Sequence, residues 1–225
     1  MKLPQCEIFF NGKFKNWKDE KLLVAGGRTP NRKYFSKIAQ GRKILAIDKG
    51  IEICRAENIL PELLIGDFDS AENSAVAWSK ENKVPVKRYP VDKDFTDTQL
   101  ALELVEGKIV LLTGIFGGRL DHLFSNVFTC ANSNLKIVLA DEQEIIFFLQ
   151  GAESVEVNFF EKPLAISLLP VSEVCEGVSI NNVRWKLENA KLFQKIPSAI
   201  SNRLEGDKIK LNLHAGTLAI YFVFG

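Results

Sequence analysis

The most constraining feature of the sequence is a series of short, unbroken apolar runs, several of which end at glycine or aspartate. Runs of this kind are typical of strands that are buried on both faces. Segments with helical character separate several of them, and such alternation predicts a mainly parallel sheet covered by helices on both faces. The runs occupy residues 21–25, 43–47, 63–65, 109–113 and 135–140.

The pattern changes near residue 150, beyond which no helical periodicity is found. Residues 154–159, 164–169 and 209–213 are strand candidates, and in the last of these apolar and polar residues alternate. Glycine and asparagine residues supply turns between them, which predicts an antiparallel sandwich or barrel. We therefore expect an α/β domain over residues 1–150 and an antiparallel β domain over residues 151–225.

The segment before the first apolar run is weakly patterned. Residues 7–10 are a candidate edge strand, and Asn11-Gly12 is a candidate turn after it.

Composition excludes several classes of protein. The formal net charge of +1 is well mixed along the chain, so we expect neither a nucleic-acid nor a membrane partner. No apolar run has membrane-spanning length, and the first residues lack the apolar region of a signal peptide. The four cysteines are far apart in sequence, which favours free thiols in a reducing cytoplasm over disulfides or zinc.

Acidic residues mark the predicted edge of the parallel sheet. Asp67 and Asp69 follow the run at 63–65, and Asp48 follows the run at 43–47. Asp94, Asp97 and Asp121 lie in loops or at predicted helix starts, which point to the same edge. Ligands of such sheets bind beyond the carboxyl ends of the strands. Massed carboxylates repel one another unless a cation holds them, and an all-oxygen ligand set suits Mg²⁺. The alternative is an ordinary turn at Gly66-Asp67, with Ser70 as the N-cap of a helix reaching to about residue 82.

Basic residues near the acidic ones are candidates for binding phosphate. Lys93 could neutralise phosphate oxygens or could be a solvated surface lysine. Arg119 follows Gly117-Gly118 at a predicted helix start, where backbone donors and a guanidinium fork suit a polyphosphate. The alternative is a surface arginine paired with Asp121 or Glu103. His122 could serve as a base or as a hydrogen-bond donor to the substrate, but the favoured role is to orient its neighbours, since phosphoryl transfer needs positioning and charge more than a strong base.

Two further patterns concern the helices of the first half. Thr96 and Gln99 have the spacing of a capping box, which predicts that a helix begins there. The helix after Arg119 is expected to have one apolar face, formed by Leu123, Phe124, Val127, Phe128 and Ala131.

The common ATP-binding glycine signatures are absent from the sequence. It contains neither a Walker A motif nor the glycine patterns of protein kinases and dinucleotide-binding proteins. The commonest types of ATP enzyme are therefore disfavoured.

Three acidic segments, taken in order, nevertheless resemble the thiamine pyrophosphokinase family. They are Pro-Glu-Leu-Leu-Ile-Gly-Asp-Phe-Asp-Ser at 61–70, Asp-Lys-Asp-Phe-Thr-Asp at 92–97 and Gly-Gly-Arg-Leu-Asp-His at 117–122. Residues 46–50 are similar to the family's Asp-Gly-Gly element, with Lys49 in place of a glycine. Residues 183–187 and Ser201-Asn202 are similar to its C-terminal elements, with Asn182 where a glycine is usual. The resemblance covers about residues 21–225.

The resemblance implies an N-terminal α/β domain that binds ATP and Mg²⁺, a C-terminal β-sandwich, and a homodimer with thiamine bound between subunits. It implies transfer of a diphosphoryl group from ATP to thiamine, with release of AMP. The implied catalytic residues are Asp67, Asp69, Asp97, Lys93 and Arg119, of which the three aspartates would be the metal ligands. The implied ATP-binding residues are Asp48, Asp94, Thr96, Gly118, Arg119, Asp121 and His122. The implied thiamine-binding residues are Trp185, Ser198, Ser201 and Asn202.

Three alternatives stay open from the sequence. The same site could act on another small heterocycle as a Mg²⁺-dependent pyrophosphokinase or phosphohydrolase. The fold could also serve a non-catalytic nucleotide- or thiamine-binding module. Trp185 could be a core residue of the sandwich instead of part of a binding pocket.

Overall fold

The structure is a computed structural model that describes residues 1–11, 20–105 and 109–225. Contacts within the chain define two compact units. One comprises Asp19–Thr129, and the other comprises Met1–Lys18 with Cys130–Gly225. These bounds differ from the predicted division at residue 150, which stays a prediction.

The unit Asp19–Thr129 is built on five parallel strands in the order β6-β2-β3-β4-β5. Its central strands are almost wholly buried because their side chains are apolar on both faces. The predicted mainly parallel sheet is therefore confirmed. Its strands are β2 (Glu20–Val24), β3 (Lys43–Ile47), β4 (Leu63–Gly66), β5 (Val86–Arg88) and β6 (Ile109–Thr113), and its helices are α1 (Arg32–Ala39), α2 (Gly50–Ala56), α3 (Asn73–Glu81), α4 (Asp97–Glu103) and α5 (Leu120–Ala131).

Two helix starts differ from expectation. Helix α1 is not predicted above, although Asn31 caps it by accepting a hydrogen bond from the Tyr34 N–H at 2.9 Å. Helix α3 begins at Asn73 after the N-cap residue Glu72, so the prediction that Ser70 is the N-cap is wrong. The Ser70 hydroxyl donates instead to the carboxylate of Asp48, a tertiary contact that local sequence does not reveal.

The capping box of α4 is confirmed. Thr96 Oγ1 accepts from the Gln99 N–H at 3.2 Å, and Gln99 Oε1 accepts from the Thr96 N–H at 2.8 Å. The buried side chains of Leu100, Ala101 and Leu102 anchor the helix to the core. Asp97, its first residue, is thereby fixed in position.

The apolar face predicted for α5 is buried only in part. Ala131 is fully buried, whereas Phe124 is 54% exposed and Phe128 is 45% exposed. Their rings lie 6.1 Å apart, centroid to centroid. Periodicity identified the helix, but it did not distinguish its buried side from its exposed side.

The second unit contains two antiparallel sheets. One has the order β1-β9-β13-β11-β12, and the other contains the consecutive pairs β10-β14, β14-β8 and β8-β7. Aromatic rings of the two sheets meet edge to face, since Phe10 contacts Phe147 and Phe159 contacts Phe222. Phe147 and Phe222 also meet edge to face within one sheet. The predicted antiparallel sandwich is thus confirmed. Its strands are β1 (Cys6–Phe10), β7 (Lys136–Ala140), β8 (Glu144–Gln150), β9 (Glu153–Phe159), β10 (Ala165–Pro170), β11 (Val174–Ile180), β12 (Leu187–Phe193), β13 (Lys208–Leu213) and β14 (Thr217–Val223).

The predicted edge strand near the start of the chain is also confirmed. Strand β1 lies at the end of its sheet and pairs with β9 from Cys6↔Phe159 to Phe10↔Val155. The predicted turn at Asn11-Gly12 falls partly outside the described residues, since they stop at Asn11 and resume at Glu20.

All four cysteines are free and buried, as expected from their spacing. In the part of the chain that the structure describes, no helix combines the length and apolar character needed to cross a membrane.

Candidate active site

Three carboxylates meet where β3 and β4 end. Asp48 follows β3, and Asp67 and Asp69 follow β4, whose Ile65 is paired with Ile47. One oxygen from each carboxylate lies within 4.8 Å of the others. The adjacent glycine has a clear role, because Gly66 has φ 147° and a Cβ there would lie 3.1 Å from Asp48 Cβ. Pairing of the two strands thus brings together residues far apart in sequence.

Lys93 joins this cluster to Asp97. Its Nζ lies 2.5 Å from Asp67 Oδ2 and 3.3 Å from Asp97 Oδ1, and its side chain is only 13% exposed. A solvated surface lysine is therefore excluded. Burial lowers the pKa of Lys93, but its hydrogen bond to Asp67 and the nearby Asp97 outweigh that effect and leave the pKa raised.

The aspartates differ in how readily they ionise. Burial raises the pKa of Asp67, but the hydrogen bonds from Lys93 and from the Asp69 N–H leave it lowered. The negative charge of Asp67 raises the pKa of Asp69, and burial raises that of Asp97.

The cluster fits a divalent cation. Asp48, Asp67 and Asp69 form one group of carboxylates, and the ammonium of Lys93 contacts Asp67 of that group and also Asp97. Asp48 Oδ1 is buried and accepts no hydrogen bond from the described residues, whereas Asp97 Oδ1 has the ammonium of Lys93 at 3.3 Å. A buried acceptor without a donor is costly, and a hard cation such as Mg²⁺ would satisfy Asp48 Oδ1. Asp48 was predicted to bind the nucleotide, and the structure places its carboxylate in the same group as those of Asp67 and Asp69. Asp97, which was predicted to be a metal ligand, is linked to Asp67 through Lys93.

A cavity of about 430 Å³ opens beside the cluster, within the unit Asp19–Thr129. Of the eleven predicted catalytic and ATP-binding residues, seven line it: Asp48, Lys93, Thr96, Asp97, Gly118, Arg119 and His122. The other four of these eleven do not: Asp67, Asp69, Asp94 and Asp121. Asp94 is exposed and is not brought into the carboxylate cluster. Ser70, which sequence reasoning assigned to a helix cap, is a lining residue that it missed.

The glycine loop before α5 has the backbone expected of it. Gly117 and Gly118 both have φ near 70°, which glycine adopts without strain. Arg119 forms a bidentate pair with Asp121 at 3.1 and 2.6 Å, and this hydrogen bonding lowers the pKa of Asp121. The surface pairing considered as an alternative is therefore present, on an arginine that also lines the cavity. Phosphate binding by Arg119 stays a prediction.

The glycines after β2 serve close packing. The Gly27 N–H donates to Gly114 O at 2.6 Å, and a Cβ on Gly27 would lie 2.7 Å from that oxygen. A Cβ on Gly26 would lie 2.5 Å from Lys49 Cβ. At both glycines, the position that a Cβ would take is thus occupied by other atoms of the protein.

Three of the four predicted thiamine-binding residues come together in the sandwich unit. Asn202 accepts from the Trp185 N–H at 3.1 Å and donates to Trp185 O at 2.8 Å. The neighbouring Ser201 N–H donates to Ser167 Oγ at 3.0 Å, whereas Ser198 is exposed on the segment before it. Trp185 is 54% exposed, so its alternative assignment as a core residue is wrong.

Both parts of the chain match models of one protein family. The model of the thiamin pyrophosphokinase catalytic domain matches residues 35–139, and that of the thiamin pyrophosphokinase vitamin B1 binding domain matches residues 156–218. The chain is 30% identical over 167 residues to thiamine pyrophosphokinase from Bacillus subtilis, covering 71% of this chain and 77% of the relative.

Solved structures share the fold. The crystal structure of the Bacillus subtilis thiamine pyrophosphokinase matches with a TM-score of 0.81 at 24% identity, covering 92% of this chain and 99% of that one. The yeast thiamin pyrophosphokinase matches with a TM-score of 0.75 at 16% identity, covering 93% and 87%. Together with the sequence matches, this fold establishes that the chain belongs to the thiamine pyrophosphokinase family.

Proposed function

We propose that the chain transfers the diphosphoryl group of ATP to the hydroxyl of thiamine, giving thiamine diphosphate and AMP. The observation that carries the proposal is the group of four carboxylates and Lys93 beside a cavity in the unit that matches the family's catalytic domain. Such a site suits a reaction in which charge develops on phosphate oxygens and must be neutralised.

The nucleotide would occupy the cavity, with its phosphates toward the carboxylates. Asp67, Asp69 and Asp97 are the proposed metal ligands, and Asp48 is a fourth candidate because its oxygen lies within the same cluster. Bound there, Mg²⁺ would neutralise and orient the phosphates.

The reaction exchanges one phosphorus–oxygen bond for another. The thiamine hydroxyl attacks the β-phosphorus and loses its proton, while the bond from the β-phosphorus to the oxygen it shares with the α-phosphate breaks and AMP leaves. Lys93 is placed to neutralise the oxygens of the transferring group. The guanidinium of Arg119 can do the same once it exchanges Asp121 for phosphate. Thr96, Asp94, Gly118 and His122 remain proposed nucleotide contacts.

The exposed indole of Trp185 is suited to thiamine, which is both cationic and aromatic. The Arg184 guanidinium lies 5.2 Å from the ring, so thiamine would have to displace it or use the opposite face. Asn202 fixes the Trp185 backbone, and Ser198 and Ser201 lie on the adjoining segment. These contacts support a thiamine pocket around Trp185.

The proposal extends to assembly and location. A homodimer with thiamine between subunits is proposed from the family resemblance. Location in the cytoplasm is proposed because four free, buried cysteines suit a reducing compartment. No nucleic-acid or membrane partner is proposed, since the net charge is only +1.

Product identification tests the proposed reaction. The protein is mixed with Mg²⁺, ATP and thiamine, and the products are separated by chromatography and weighed by mass spectrometry. AMP and thiamine diphosphate in equal amounts are expected. ADP with thiamine monophosphate would contradict diphosphoryl transfer. AMP release only with another heterocycle would favour a different acceptor, and ATP binding without any turnover would favour a non-catalytic module.

Substitution at Asp67 tests the metal site. We expect Asp67→Asn to lower kcat by roughly 100-fold or more, because it removes charge from the centre of the carboxylate cluster. Circular dichroism should show an unchanged fold. Asp207→Asn, at an exposed aspartate of the sandwich unit, is the matched control and should retain activity. Near-normal turnover of Asp67→Asn would show that Asp67 is not a metal ligand.

A further inference from the structure

Lys49 is a cavity-lining cation that the proposed reaction does not yet use. It follows Asp48 and immediately precedes α2, and its side chain is exposed to the cavity that Asp48 and Lys93 also line. Its backbone is in the ordinary right-handed helical region, with φ −58° and ψ −16°. Lysine therefore occupies this position without strain.

The three cavity-lining lysine and arginine side chains differ in their partners. Lys93 is held by Asp67 and Asp97, and Arg119 is held by Asp121. Among the described residues, Lys49 has no carboxylate partner within the 4.0 Å of an ion pair. An ammonium without a carboxylate partner can bind an anion without giving up an existing ion pair.

The first atoms of the Lys49 side chain pack against Gly26, which also lines the cavity. Gly26 faces Lys49 so closely that a Cβ on Gly26 would lie 2.5 Å from Lys49 Cβ and 3.2 Å from its Cγ. The Cβ and Cγ of Lys49 are thus held against Gly26, while the rest of the flexible side chain can change conformation to reach a ligand.

The electrostatics of the site call for another cation. Asp48, Asp67, Asp69 and Asp97 place four carboxylates near one ammonium, and a polyphosphate would add further negative charge. A second ammonium at the cavity wall would lower that repulsion and attract the nucleotide from solution.

We propose that Lys49 is a phosphate-binding residue that makes the site selective for nucleotides with more phosphates. The inference rests on the proposed function, because it assumes that the cavity takes ATP. Its ammonium would bind a nonbridging oxygen beyond the α-phosphate. In the Asp-Gly-Gly element that residues 46–50 resemble, this position is a glycine, so the element itself supplies no cation here.

Calorimetric titration of the whole protein tests the proposal, with adenosine, AMP, ADP and ATP as ligands, in the presence of Mg²⁺ and without thiamine. Lys49→Met should weaken ATP binding about tenfold, which corresponds to loss of one charge-assisted contact. The effect should be smaller for ADP than for ATP and should be absent for AMP and adenosine, which have no phosphate beyond the α-phosphate. Lys49→Arg should retain ATP affinity within about threefold of wild type, since it keeps the charge. Raising the salt concentration should reduce the difference.

A matched control and a second variant make the result specific. Lys80→Met removes an exposed lysine on α3 that does not line the cavity, and it should bind ATP as wild type does. Lys49→Gly restores the family's glycine and should behave as Lys49→Met does. Thermal unfolding should be the same for all variants.

Two results would overturn the inference, and they are distinguishable from failure of the proposed function. Wild-type affinity of Lys49→Met for ATP would show that Lys49 does not bind phosphate. Equal weakening of adenosine and ATP would show that Lys49 shapes the nucleoside pocket instead. If wild type binds ATP, either result leaves the proposed function intact; if wild type binds no ATP, both proposals fail.

Discussion

Lys93 provides the positive charge nearest to the carboxylate cluster. Its ammonium contacts Asp67 and Asp97, and two further carboxylates lie close by. A divalent cation bound to Asp67 or Asp97 would compete directly with this ammonium. If Mg²⁺ binds there as proposed, Lys93 would pair with these carboxylates in the metal-free protein and would be released to phosphate when the cation binds.

Replacing Lys93 should therefore affect stability differently with and without Mg²⁺. Lys93→Met leaves buried carboxylates unpaired, which should lower the free energy of unfolding by about 2 kcal/mol in metal-free buffer. Saturating Mg²⁺ should restore part of that loss, because the cation no longer competes with an ammonium. Urea unfolding with and without Mg²⁺ measures both effects. Lys80→Met, on the exposed side of α3, should change neither.

Two outcomes would contradict the prediction for Lys93→Met. If Lys93→Met is as stable as wild type without Mg²⁺, the ion pairs contribute nothing measurable. If its loss of stability is the same at all Mg²⁺ concentrations, the cation does not bind next to Lys93.

Many residues of the site could be predicted from their immediate sequence neighbours. The others could not, because their roles depend on contacts with residues far away in the sequence. Asp67 and Asp69 were recognisable because they directly follow an apolar run. Ser70 was misassigned because its partner, Asp48, is 22 residues away and is brought near by the pairing of β3 with β4. The pairing of Arg119 with Asp121 could be stated only as one of two possibilities.

Helix α4 determines where Asp97 lies. Its first turn is closed by the reciprocal hydrogen bonds of Thr96 and Gln99, and its buried face holds Leu100 and Ala101 in the core. The capping box therefore helps to hold Asp97 in the position where it forms an ion pair with Lys93.

Loss of the cap should destabilise the protein modestly. Thr96→Ala removes the acceptor of the Gln99 N–H, which should lower the free energy of unfolding by about 1 kcal/mol. Thr96→Ser keeps the hydroxyl and should stay within a few tenths of a kcal/mol of wild type. Urea unfolding of the metal-free protein gives both values. Equal stability of Thr96→Ala and Thr96→Ser would mean that the capping box does not support α4.

At the scale of elements, prediction succeeded where the pattern was strong. The apolar runs identified β2, β3, β4, β6 and β7 because both of their faces are buried. Strands β11 and β12 were not predicted, and β-bulges interrupt their pairing and hence any regular alternation. The exposure of Phe124 and Phe128 on α5 could not be read from periodicity, which gives a face but not what covers it.

In the whole molecule, the candidate ATP- and metal-binding residues belong to one unit, and the candidate thiamine-binding residues belong to the other. The carboxylate cluster, its lysines and the cavity belong to Asp19–Thr129, whereas Trp185, Ser201 and Asn202 belong to the sandwich unit. The cysteines are spread over both: Cys54 lies in the first, and Cys6, Cys130 and Cys175 lie in the second. Thiol chemistry can therefore report on the integrity of each unit.

The four thiols should be inert in the folded protein. Burial raises the pKa of Cys6, Cys54 and Cys130 to about 12 and also raises that of Cys175. At pH 8 a thiol with such a pKa is ionised to only about one part in ten thousand, and the thiolate is the reactive form. Iodoacetamide followed by mass spectrometry should find no alkylated cysteine in native protein and four in denaturant. Rapid native labelling of Cys54 would contradict its burial.

The same shifts predict how stability changes with alkaline pH. Each folded-state pKa lies above the value of 9.0 for an unperturbed thiol, so the unfolded chain loses these protons first. Their contribution to stability is complete below pH 9 and is lost as the pH rises toward 12. The urea midpoint should therefore be lower at pH 10.5 than at pH 8. Cys54→Ala removes one such thiol and should show a smaller decrease between the two pH values, whereas a decrease equal to that of wild type would show that Cys54 does not contribute.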